Sequence, residues 1–135
     1  MRTCPGNPRD PAAAMVHHMS DLPSVQEVRL VLSHMLSRAR FAGAIEFLAQ
    51  VEAVEAVSGR IDYVDLSLSP SAVAAPYLSN PLPVYGYVND ARGEPLGQFL
   101  LWAADGKLDC VEYAEYLHEY KAWPSLDQLV DVRPS

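Results

Sequence analysis

The stretch LGQFLLWAADGKLDCVEYAEY, Leu96 to Tyr116, decides the fold class. Two apolar runs flank Asp105-Gly106, a pair suited to a tight hairpin turn because both residues tolerate positive φ. Strands are therefore expected near 97–103 and 107–116. A second alternating run, Val84 to Asn89, sets Val84, Gly86 and Val88 on one face and Tyr85 and Tyr87 on the other. A third, Ile61 to Leu68, alternates Val64, Leu66 and Leu68 with Tyr63, Asp65 and Ser67. The NDARGEP segment from Asn89 to Pro95 supplies a turn.

Helical signals lie upstream of these strands. Ser24 and Glu27 have capping-box spacing, and Val28, Val31, Leu32, Met35 and Leu36 recur on one helical face. The spacing predicts a helix over 24–38, with Arg38 and Arg40 complementing the negative end of its dipole. A second helix is expected over 42–51 with Ile45, Leu48 and Ala49 inward, followed by a short strand from about Ala53. Residues 69–83 carry Pro70, Pro76, Pro81 and Pro83 and read as a long irregular connection. Trp123, Leu126 and Leu129 are expected to pack back on the body. The fold class that results is α+β, a helical pair packed on an antiparallel meander of four to five strands.

The chain has 135 residues, half of them apolar, enough for one hydrophobic core. We read a single domain over 21–135, preceded by a disordered tail over 1–20 in which Pro5, Pro8 and Pro11 block regular structure. Met15 and Met19 offer alternative translation starts, and His17 and His18 form an unsupported histidine pair. A formal charge of −7 with scattered Lys and Arg argues against nucleic acid, whose phosphates attract clustered cations. No apolar run reaches membrane-spanning length and the N-terminus lacks an apolar signal core, so the expected setting is cytoplasmic, without membrane. With only Cys4 and Cys110, neither a disulfide framework nor a paired-cysteine zinc site is expected, and Cys110 reads as a small core residue.

Phe41-Ala-Gly-Ala, Tyr63-Val-Asp-Leu, the 98–113 hairpin and Trp123-Pro-Ser occur in an order that resembles a family of small uncharacterised actinobacterial proteins. The resemblance spans roughly residues 24–130 and rests on structural motifs. It implies the fold and no particular activity. Relatives carry a Cys-Gly-Cys-Pro type element where this chain has Gly59-Arg60-Ile61-Asp62, so a role resting on those cysteines does not transfer.

Candidate chemistry concentrates in the C-terminal half. Asp109, Glu112, Glu115, His118 and Glu119 form the densest polar cluster. On a helix, Glu115 and His118 would mimic the E-x-x-H spacing of carboxylate metal sites, with His34 the one further ligand on offer. On a strand they are a solvated charged face, and that reading leaves the chain without metal or cofactor. Glu112 interrupts an apolar stretch, either as a general base or recognition carboxylate or as a charge protecting an edge strand. Tyr85, Tyr87, Tyr113, Tyr116, Tyr120, Trp102 and Trp123 fill the core or present an aromatic binding patch. No nucleophile elbow, phosphate loop or Ser/His/Asp set is present.

The expected function is a non-catalytic interaction module, immunity- or regulator-like, in which Glu112, Glu115, Tyr113, Tyr116, Tyr85 and Tyr87 meet a protein partner. The alternative is a small enzyme or ligand-binding domain with a pocket between helices and sheet lined by Tyr and Glu112. A third possibility is a homodimer joined through a sheet edge or face.

Overall fold

The computed structural model describes residues 22–77 and 79–134. The expectations of a disordered tail, of alternative starts at Met15 and Met19 and of a loose His17–His18 pair all lie outside the described residues. Helix α1 spans Val25–Leu36, and the capping box is formed as expected: Ser24 Oγ accepts from the Glu27 N–H at 3.0 Å while Glu27 Oε1 accepts from the Ser24 N–H at 2.8 Å. Its five apolar residues, Val28, Val31, Leu32, Met35 and Leu36, are all buried.

Helix α2 spans Ala44–Gln50 and runs into a single 3-10 turn, Val51–Ala53. Its inner face differs from the expected Ile45, Leu48 and Ala49. Ala44, Phe47 and Gln50 are buried, whereas Ile45 is 81% exposed. Two turns cannot distinguish neighbouring stripes by periodicity, and bulky Phe47, packed within the core, fixes the rotation of the helix.

Six strands follow: β1 Val54–Gly59, β2 Tyr63–Leu68, β3 Val84–Asn89, β4 Pro95–Ala104, β5 Lys107–Glu115 and β6 Leu129–Pro134. They form one antiparallel sheet in the order β1-β2-β5-β4-β3-β6. Four to five strands were expected; the sixth, β6, pairs with the outer edge of β3. The simple meander also gives way. Only β1–β2 and the run β3–β4–β5 follow one another as neighbours, and the 69–83 connection carries the chain from β2 past β5 and β4 to β3.

At the opening hairpin Asp105 and Gly106 both have positive φ, 52° and 79°, the signature of a turn whose twist matches its strands. Two amide side chains fasten its surroundings. Gln50, 2% exposed, donates to the Gly106 and Val73 carbonyls at 2.8 and 2.9 Å and accepts from the Leu108 N–H at 2.8 Å. Asn80 donates to the Ala103 carbonyl at 2.6 Å and accepts from the Ala103 N–H at 2.9 Å. Each amide imitates a strand partner, so the backbone beside the turn is satisfied despite irregular neighbours.

Both helices lie on one side of the sheet. The core there joins α1 and Phe47 to Val64, Leu66, Phe99, Leu101, Val111 and Tyr113. Gly86 on β3 faces this core, where an added Cβ would meet Leu129 Cδ1 at 2.8 Å and Met35 Sδ at 3.1 Å, so α1 and β6 close over it. Trp123 returns against Phe99 with ring centroids 4.9 Å apart, Leu126 is partly buried and Leu129 is buried. The tail thus packs as its apolar residues implied, then continues as a strand. Among the described residues, no helix is long and apolar enough to cross a membrane.

Candidate functional site

Strand register sorts the candidate residues by face. Tyr85 on β3 pairs with Leu100 on β4, Leu100 with Glu112 on β5, and Glu112 with Tyr63 on β2. Tyr87 pairs with Gln98, and Trp102 sits two residues from Leu100 on the same side. Because side chains alternate, Tyr63, Tyr85, Tyr87, Trp102 and Glu112 share the face opposite the helices. Each is intermediate in burial. Arg133, paired with Tyr85 on β6, reaches over the Tyr87 ring at 5.5 Å and holds Asp131 Oδ2 at 2.6 Å through Nε. At the opposite side, Arg60 lies 5.5 Å from the Tyr63 centroid, with its Nε 3.4 Å from Asp62 Oδ1.

Glu112 is the centre of this face. Its Oε1 accepts from the Trp102 indole N–H at 3.0 Å. Burial, reinforced by the charge and hydrogen bond of Glu112 and then by Asp62 and Tyr120, pushes the Tyr63 phenol up to about 12. Glu112 is therefore a fixed carboxylate between an indole and a protonated phenol, an acceptor suited to an incoming N–H or cation. It does not protect an edge, since β5 lies between β2 and β4.

Other candidates fall elsewhere. Tyr113 points inward, is fully buried, and packs on Phe99 and Tyr120 at 5.6 and 5.7 Å between centroids. Burial, then Glu115, raises its phenol above the ordinary value. Glu115, 5% exposed, also points inward. Its Oε1 accepts the Glu119 and Tyr120 N–H groups at 2.5 and 2.9 Å, and its Oε2 accepts the Tyr113 hydroxyl at 3.2 Å. Those bonds tie down a turn in which His118 and Tyr120 adopt positive φ, so the Glu115 carboxylate anchors its own chain. Tyr116, just past the strand, is half exposed and lines a shallow concavity of about 240 Å³ together with Tyr87, Val130 and Arg133.

Two further expectations change. β5 runs as strand to Glu115 and a turn follows, so the helical Glu115–His118 metal spacing does not arise. Strict alternation along β5 would place Leu108 on the same face as Glu112. A register shift opposite Trp102 and Ala103 instead makes Asp109 an extra residue and turns Leu108 into the core. Glu112 was expected to line a pocket between helices and sheet, but it lies on the face away from the helices. Tyr63 carries no functional expectation from the sequence, and Trp102 enters there only as one of the C-terminal aromatics. Their alternation was visible, but the pairing that lines them up with Glu112 was not.

A separate concavity of about 570 Å³ opens between α2, the start of β1 and the connection after β2. Arg29 of α1 closes one side, donating to the Val54 carbonyl through Nε at 3.1 Å and Nη2 at 2.6 Å.

No family model, curated protein or solved structure matches this chain.

Proposed function

We propose that the protein is a non-catalytic interaction module whose outer sheet face docks on a basic surface of a protein partner. The observation that carries this reading is the alignment of Tyr63, Tyr85, Tyr87 and Trp102 around Glu112 on the face away from both helices. Tyr and Trp combine large apolar area with a polar tip and lose little entropy on burial, which suits them to interfaces. Glu112 and the chain's charge of −7 favour a cationic counterpart.

The test is affinity capture from the native cell extract with the wild type and with a Tyr85→Ser/Glu112→Gln variant that retains its circular dichroism spectrum. The expected result is one partner retained at low salt by the wild type, released at high salt, and not retained by the variant. Equal retention by both proteins refutes the reading, as does a monomeric wild type that retains nothing. Self-association through this face would appear instead as a dimer mass abolished by the same substitutions.

A further inference from the structure

The largest concavity among those described is lined by Val73 and bordered by α2, which carries Ile45; these are the two most exposed large apolar side chains among the described residues. Val73, 78% exposed, lines the groove directly. Ile45, 81% exposed, lies one helical turn before Ala49, which also lines it, so the apolar strip of α2 continues out of the groove. Ala53 extends the apolar floor towards β1. A soluble surface gains nothing by leaving two β-branched side chains so open beside a cavity; such a strip is what a partner covers.

Charge on the walls is one-sided. Glu46, Glu52 and Glu55 line the groove, and among the described residues none of the three forms an ion pair. Arg29, the one cation on the lining, spends its guanidinium on the Val54 carbonyl and, at 3.4 Å, on that of Glu52. An apolar floor between uncompensated carboxylates complements a segment that alternates aliphatic and basic side chains.

We propose that this groove docks such a segment of a partner protein. A Lys or Arg enters among Glu46, Glu52 and Glu55, and its aliphatic neighbours cover Ile45 and Val73. The site is on the helical side of the molecule, remote from Glu112, and stands independently of the outer face.

The probe is a capped heptapeptide alternating leucine with lysine, titrated into the ¹⁵N-labelled protein while amide shifts are followed. Two comparison peptides replace leucine by serine or lysine by glutamate. Shifts are expected over 45–55 and 69–73, with the serine peptide binding more weakly and the glutamate peptide not at all. The Glu46→Gln/Glu52→Gln/Glu55→Gln variant should bind about tenfold more weakly, the sum of three exposed charge contacts. Val73→Ser should weaken binding several-fold, and both variants alter exposed side chains while leaving the backbone carbonyls of Glu52 and Val73 in place. Glu112→Gln should leave binding unchanged, which separates this site from the outer face. Shifts centred on Tyr85 and Glu112, equal binding of the leucine and serine peptides, or indifference to the triple substitution would each overturn the proposal.

Discussion

Glu112 and Glu115 lie three residues apart on β5, and the odd separation puts them on opposite faces of the same sheet. Glu115 is buried, accepts two backbone N–H groups and a phenol, and closes a turn within its own chain. Glu112 is half-buried, accepts an indole N–H, and stands among aromatic rings that no described helix covers. Sequence context alone presents two similar acidic residues in an apolar strand. Their surroundings differ: one carboxylate satisfies several donors that folding would otherwise strand, and the other accepts a single indole N–H on the outer face.

The sharpest challenge to that contrast is on the inner face. Tyr113→Ala should destabilise the protein by about 3–5 kcal/mol, because a fully buried aromatic leaves a cavity beside Phe99; urea unfolding measures it. Tyr85→Ala, on the outer face, should cost far less, and equal losses would erase the distinction between faces. Glu115→Ala comes next, at about 2–3 kcal/mol, since it removes the charged acceptor of several hydrogen bonds at once. Hydrogen exchange should accelerate at the Glu119 and Tyr120 amides, and unchanged protection there would show that the turn holds without Glu115.

Glu112→Gln should change stability by no more than about 0.5 kcal/mol, since the amide oxygen of Gln can still accept the Trp102 N–H. Its signature is spectroscopic, a change in Trp102 emission as the indole loses a charged acceptor. A further contrast concerns alkaline titration. Tyr63 ionises near 12 in the folded chain against 10.0 for an unperturbed phenol, so the unfolded state releases this proton first. The stability Tyr63 contributes is complete below pH 10 and is lost as pH rises from 10.0 to about 12. Tyr63→Phe should remove that component, and Glu112→Gln should move the midpoint of Tyr63 absorbance downward. A midpoint indifferent to Glu112 would mean that burial alone sets it.

Much of the architecture was legible because its signals are local. The capping box at Ser24 and Glu27, the stripe from Val28 to Leu36, the Asp105-Gly106 turn and the alternation of Val84 to Asn89 each involve residues within one turn or one strand. Where the reading failed, the deciding contact was distant. Leu129–Pro134 lacks a strong alternating pattern and becomes a strand because β3 offers it an unpaired edge. Ile45 faces outward because Phe47 takes the core position. Leu108 turns inward because of a bulge at a pairing with β4.

The candidate site divides in the same way. Its residue types and the parity within each strand are properties of the sequence, since φ/ψ preferences and side-chain period act over a few residues. That Tyr63, Tyr85, Trp102 and Glu112 share one face, while Tyr113 and Glu115 close the other, depends on which strands pair and in what register. Register is selected by burying one continuous apolar face against α1 and α2, a free energy summed over the whole core. No single segment carries that sum, so local pattern set the elements and long-range packing set the surface they expose.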